Sequence, residues 1–298
     1  MLFFILVGLA VDTVYLNAFT PHGPSLPVAT LVALSFATLM TFTAYKVGGD
    51  LILSSVGAEK LDIQIPEHRE LHNVVTEMAL ASGCPMPKVY VAFDPAPNAF
   101  ATGRDEKLAS ICATTGLLTL LSREETQGVV AHEMAHIRNN DTLVMMLVSI
   151  LVGGIALLAD WAQRARFFSR HGRRALPGYL LVVPTLLLII LSPLVSRLLA
   201  MAVSRQREYL ADATAVEFTR NPLGLAHALE KIRDAGIPFH KACRGTAHLF
   251  IVNPLRIADD RDGKLADLLS THPPINRRIM LLYQMAGLPG GEARRVAG

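Results

Sequence analysis

The sequence predicts a mainly helical α+β chain: an integral membrane protein with about four hydrophobic helices, each long enough to cross or nearly cross a bilayer, and a helical region carrying a small, edge-exposed sheet. Three observations carry that expectation. Hydrophobic residues make up 51% of the 298 positions and charged residues only 18%, with a positive mean hydropathy, a balance too apolar for two ordinary soluble domains. The apolar residues gather in charge-poor blocks at 2–19, 28–45, 143–158 and 179–203. Elsewhere the pattern changes to amphipathic helical spacing with two short β-rich runs.

Taken in order, Leu2 to Phe19 is apolar but for Asp12, and Val28 to Tyr45 is free of charge. Together they read as a helical hairpin. The first Lys or Arg is Lys46, so the opening segment lacks the basic start of a cleaved signal and is expected to stay as an anchor. Asp12 has no partner visible in the sequence. The loop from Thr20 to Pro27 carries no Lys or Arg, whereas Lys46, Lys60, Lys88, Arg104, Lys107 and Arg123 come after the second block. That asymmetry places the chain beyond Tyr45 on the cytoplasmic side of a cell inner membrane.

Glu67 to Ala81 reads as a helix with Leu71, Val74, Val75 and Met78 on one stripe and Gly83 as its stop. Val89 to Phe93 and Leu108 to Ala113 read as strands, separated by turn residues around Pro95, Pro97 and Gly103. Between them Asn98, Ala99, Phe100, Ala101 and Thr102 form either an ordinary loop or an edge strand; as an edge strand they offer backbone hydrogen bonds to an extended peptide. Ser122 with Glu125 has the form of a capping box, which starts a further helix.

Leu143 to Leu158 and Tyr179 to Val203 form a second hydrophobic pair, the latter interrupted by Ser192, Pro193 and Arg197. The loop joining them is crowded by Arg164, Arg166, Arg170, Arg173 and Arg174, against the positive-inside rule if the pair spans fully. Spanning is the favoured reading, with a hairpin that dips into the bilayer as the alternative. Four regions result: an N-terminal transmembrane hairpin (1–46), a first catalytic part (47–141), the second hairpin (142–203) and a second catalytic part (204–298). After the second pair, Arg205 to Asp212 is helix-compatible. Asn221 and Pro222 cap and open a helix bearing Leu225, Leu229 and Ile232, which ends near Gly236. His227, His240 and His248 read as solvated. Pro273 and Pro274 open a last helix with Ile275, Ile279 and Leu282, and His272 stands fixed before it.

The chemistry lies in His132-Glu133-Met134-Ala135-His136. On a helix the two imidazoles project from one face a turn apart and reach one tetrahedral ion, while Glu133 falls beside them as a general base and acid. The residues after His136 lack the Gly and third His of the extended metzincin pattern. A distant carboxylate is then the expected third zinc ligand, which would make the site gluzincin-type, and Glu208 is the candidate. Asp212, one turn on, can accept the outer N–H of a ligating histidine. Cys84, Cys112 and Cys243 are widely spaced and read as small buried thiols, neither disulfides nor ligands. A net charge of +3 gives no reason to expect nucleic acid as a partner.

The chain resembles the HtpX family of membrane-bound zinc metalloproteases and, more distantly, the CAAX prenyl endopeptidase. The residues that carry the likeness are Pro97 to Arg104, Leu121 to Asp141, Ser204 to Ala213, Phe250 to Leu255 and Ser270 to Pro273. The resemblance implies one Zn2+ per chain on His132, His136 and Glu208, catalysis by Glu133, and endoproteolysis of misfolded or excess membrane proteins in quality control and stress response. It also implies that Asn98, Ala99, Phe100 and Ala101 form the substrate-binding edge strand and that His272 stabilises the oxyanion of the tetrahedral intermediate. The expected partners are unfolded or membrane-protein substrates and the lipid bilayer. Two rivals remain: a scaffold that keeps the motif without cleaving, and a prenyl-substrate protease, for which four hydrophobic segments are few to wall a chamber.

Overall fold

The computed structural model describes residues 2–14, 26–150, 153, 205–237, 249–252 and 273–288. The chain divides into two compact units, Met1–Lys46 with Ile150–Leu199, and Val47–Ser149 with Ala200–Gly298. His272, His240, His248, Cys243, the arginine-rich loop and the block at 179–203 lie outside the described residues.

In the first unit, α1 (Leu2–Val14) packs on the start of α2 (Val28–Ser55). Gly8 makes the approach possible, since a Cβ there would sit 2.5 Å from the Thr30 Cα. Asp12 supplies the cap that α2 lacks in its own sequence: its carboxylate accepts from the Ala29 N–H at 2.9 Å, the Thr30 N–H at 2.8 Å and the Thr30 hydroxyl at 2.6 Å. Three donors at a helix start satisfy a carboxylate in surroundings that would otherwise penalise its charge. Among the described residues, α2 is the one helix long and apolar enough to cross a membrane. It exposes Val32, Phe36, Leu39 and Phe42. α1 is shorter, at 13 residues, and a further apolar helical stretch runs from Asp141 to Ile150.

The second unit is a mainly helical body with a four-stranded mixed sheet. The strands are β1 (Ala58–Lys60), β2 (Lys88–Ala92), β3 (Ala99–Thr102) and β4 (Ser110–Thr114), in spatial order β1-β2-β4-β3. β2 and β4 pair in parallel, while β1 and β3 add antiparallel on either side. β3 is therefore an edge strand. α3 (Pro66–Ser82) places Pro66 in its first turn, buries the expected Leu71, Val74, Val75 and Met78, and ends at Gly83 in the left-handed region. The short α4 (Thr115–Leu120) leads into α5 (Arg123–Arg138), where Ser122 and Glu125 complete the capping box.

α5 is the central helix, buried along almost its whole length from Glu125 to Ile137. Against it pack α3, α6 (Arg205–Thr219) and α7 (Pro222–Ala235). The crossing of α5 and α7 is set by glycines, because a Cβ on Gly128 would meet the Leu225 backbone nitrogen at 2.6 Å and one on Gly224 the Glu124 carbonyl oxygen at 2.8 Å. α8 (Ile275–Met285) closes the body with Ile275, Ile279 and Leu282 inward.

Several expectations shift. The second predicted strand begins two residues later, because Asp105 draws Glu106–Leu108 into a 3₁₀ turn by accepting from the Leu108 N–H. Phe93 falls outside β2 and is exposed. His227 is half-buried with its ring edge-on to Tyr283. Cys84 and Cys112 are buried free thiols, and burial pushes the Cys112 pKa upward.

Candidate metal centre

Helical spacing on α5 carries His132, Glu133 and His136 to one end of the core, and α6 brings Glu208 and Asp212 opposite; all five are at most 3% exposed. The imidazoles meet at 87°, with their Nε2 atoms 3.2 Å apart. Glu208 completes the triangle: Oε2 is 3.7 Å from His132 Nε2 and Oε1 is 3.5 Å from His136 Nε2. Tetrahedral coordination with bonds of about 2.1 Å places donor atoms about 3.4 Å apart. The three observed separations straddle that value, so the donor set fits a single small divalent ion.

The outer nitrogens are held as well. His132 Nδ1 lies 3.0 Å from Asp212 Oδ1, and His136 Nδ1 lies 3.1 Å from Asp141 Oδ2. A proton on each Nδ1, donated to its carboxylate, leaves both Nε2 lone pairs facing inward, the tautomer a ligating histidine needs. The outer carboxylates are anchored by guanidiniums. Arg207 donates to Asp141 Oδ1 at 2.9 Å. Arg278, only 1% exposed, forks onto Asp212 at 2.9 and 2.7 Å, with Nη1 3.5 Å from Glu208 Oε2.

Charge adds an independent argument. Counted as ionised, the carboxylates of Glu133, Glu208, Asp141 and Asp212 face the guanidiniums of Arg207 and Arg278, leaving −2 with neutral imidazoles. A divalent cation would balance that sum; without one, protons on His136 and Glu133 offset it in part. The same field acts on His136: burial pulls its pKa down, but the hydrogen bond to Asp141 and the fields of Glu208 and Glu133 outweigh it and raise the value to about 9. His132 moves the other way, because burial and the Arg278 charge outweigh Asp212.

Glu133 is pushed up to about 7, chiefly by burial, with Glu208 adding repulsion; His136 and an Ala101 N–H that donates to it act in the opposite direction. A carboxyl with that affinity for a proton can exchange one near neutrality. The donor Ala101 is on β3, so the edge strand and α5 meet at this carboxylate. Asn98 and Ala99 are engaged elsewhere: the Asn98 amide donates to the Val252 carbonyl at 2.9 Å, and the Ala99 carbonyl accepts from the Ile251 N–H at 3.1 Å.

His132, Glu133, His136, Glu208 and Asp212 are thus brought together, and of Asn98 to Ala101 it is Ala101 that reaches Glu133; His272 is outside the described residues. Sequence reasoning missed Asp141, Arg207 and Arg278. Arg278 had a visible signal, since it shares the apolar stripe of α8 with Ile275 and Leu282, where an unpaired guanidinium would be expensive.

Paired helices that converge two histidines and a glutamate on one point, with a further glutamate beside them, define a metallohydrolase site. The model of peptidase family M48 matches residues 66–286. A protease HtpX homolog from Caldanaerobacter subterraneus subsp. tengcongensis is 48% identical over 255 residues, covering 84% of this chain and 82% of the relative. Another from Pyrococcus abyssi is 40% identical over 259 residues, covering 86% of each. Among solved structures, the crystal structure of S. mikatae Ste24p aligns over 94% of this chain with a TM-score of 0.53 and 17% identity. That likeness shows the fold alone, and this chain spans 61% of the length of that one. The chain belongs to peptidase family M48 and is a metalloprotease, a hydrolase of peptide bonds.

Proposed function

We propose that this chain is a membrane-bound, zinc-dependent endopeptidase that cleaves misfolded or excess membrane proteins at the cytoplasmic face, in quality control under stress. The observation that carries the reading is the convergence of His132, His136 and Glu208, with their atoms within 4.8 Å of one another and Glu133 adjacent. In this reading those three residues hold zinc, and Asp212 and Asp141 fix the tautomers of the two histidines. Zinc bound there would supply Lewis acidity to the scissile carbonyl and to the attacking water.

Glu133 takes the proton from the water and returns it to the leaving amine, and no covalent enzyme intermediate forms. Its burial, which raises its affinity for a proton, supports the proton-accepting half of that shuttle. Asn98 to Ala101 align the substrate backbone, and His272 stabilises the oxyanion. The membrane reading rests on α2, on the Lys and Arg residues that come after it, and on the charge-poor blocks near 143–158 and 179–203, which would complete about four hydrophobic helices in the regions 1–46 and 142–203.

The test is cleavage of a loosely folded membrane substrate by purified, zinc-loaded protein, run beside Glu133→Gln and a chelated sample. Cleavage by the loaded wild type alone is expected, with Glu133→Gln retaining one zinc and losing turnover by orders of magnitude. Wild-type rates in the mutant would remove Glu133 from its role.

A further inference from the structure

The sheet edge beside the metal centre is already engaged by the chain itself. Residues 249–252 run past β3, with Leu249, Phe250 and Ile251 each at most 2% exposed. Their main chain is held by three groups. The Ile251 N–H donates to the Ala99 carbonyl at 3.1 Å. The Ile251 carbonyl accepts from Arg278 Nη1 at 3.0 Å, and the Val252 carbonyl accepts from the Asn98 amide at 2.9 Å. The Phe250 ring packs edge-on to that of Phe100, with centroids 5.1 Å apart. The remaining outward N–H of the strand, at Ala101, is turned to Glu133.

This is how an edge strand holds a foreign peptide: main-chain bonds fix the register and a side-chain contact adds preference. The guanidinium that grips Ile251 also grips Asp212 and lies 3.5 Å from Glu208, so the segment is seated against the candidate catalytic centre. We propose that Phe250 to Val252 is an internal mimic of the bound substrate. It occupies the path an extended apolar peptide must take and is displaced by one. The groups that hold it, the Ala99 carbonyl, the Asn98 amide, the Arg278 guanidinium and the Phe100 ring, are then the peptide subsite. They favour an aromatic residue followed by β-branched ones. The inference rests on the protease reading for its location but makes a separate claim, that entry of substrate is a competition with this segment.

A binding measurement separates the two. The full-length, zinc-loaded Glu133→Gln protein is titrated with a fluorescein-labelled peptide containing Leu-Phe-Ile-Val, the sequence of residues 249–252, and anisotropy gives Kd. Phe250→Ala removes the ring contact, and Ile251→Pro removes the N–H that reaches Ala99; either should tighten the peptide about tenfold, because the closed fraction no longer competes. In the cleaving protein, Phe250→Ala should lower KM with kcat unchanged, which a merely structural role would not do.

Hydrogen exchange on the parent protein needs no altered segment: saturating peptide should expose the Ile251 amide. An unchanged Kd in a variant that keeps its melting temperature and zinc, or peptide binding that leaves Ile251 protected, overturns the proposal. So does peptide that fails to bind. If binding tightens but the wild type cleaves nothing, the mimic stands and the protease reading falls.

Discussion

Both units bury carboxylates, and they do so in opposite ways. Asp12 is met by three uncharged donors at the start of a neighbouring helix, so its needs are answered within a few ångströms. The second unit gathers four carboxylates around two imidazoles and supplies two guanidiniums, which leaves a deficit of positive charge at one point. A buried charge whose partners are complete is a fastening. One whose partners fall short is a place for protons or a cation, and only the second kind changes with what binds there.

The largest test of that contrast is Arg278→Met. It leaves Asp212 and Glu208 facing each other without their guanidinium, and breaking a buried pair from one side costs about 3–5 kcal/mol. In chelated protein the thermal transition should fall steeply, and added zinc should recover part of the loss. A variant as stable as wild type in the absence of metal would mean that Asp212 and Glu208 do not depend on that guanidinium.

Asp212→Asn and Asp141→Asn probe the next level. Each keeps the shape of the site but weakens the acceptor for a histidine N–H, and zinc affinity should fall about 10–100-fold in competition with a chromophoric chelator. Asp12→Ala should leave that affinity unchanged. Its effect belongs to the hairpin, where losing a cap costs about 0.5–2 kcal/mol, readable as a lower melting temperature. Altered zinc affinity in Asp12→Ala would erase the distinction between the two regions.

How much of this was legible depends on the range of each contact. Ser122 with Glu125, the α3 stripe, and the placement of His132, Glu133 and His136 on one face all derive from helical periodicity within a few residues. Glu208 and Asp212 were legible because they too lie a turn apart on one helix. Asp141 was not, since it comes five residues after His136, outside helical pairing. It reaches the ring because α5 ends at Arg138 and Asn140 adopts φ 57°, a left-handed turn that folds the chain back. The pairing of Ile251 with Ala99 spans about half of the chain and leaves no local pattern. β1 and α4, at three and six residues, are too short for periodicity to register.

The smallest predicted effect lies between the two kinds of burial. Glu125 caps α5 from within, its carboxylate accepting from the Ser122 N–H at 2.7 Å, and it also meets Lys231 of α7 at 2.8 Å. Burial works to raise its pKa, but Lys231 and the Ser122 donors outweigh it, so the folded value lies below the ordinary 4.5. A depressed acid contributes stability that is complete above its unfolded pKa and is lost as pH falls through the folded one. Glu125→Gln should therefore lower stability by about 0.5–1 kcal/mol near pH 7, a modest figure because Lys231 is half-exposed and screened. The gap between the two proteins should hold down to about pH 5 and close below the ordinary glutamate range. Thermal melts of both proteins across pH 4–7 in matched salt check this, and a gap that widened on acidification would mean that the carboxylate is held in its protonated form.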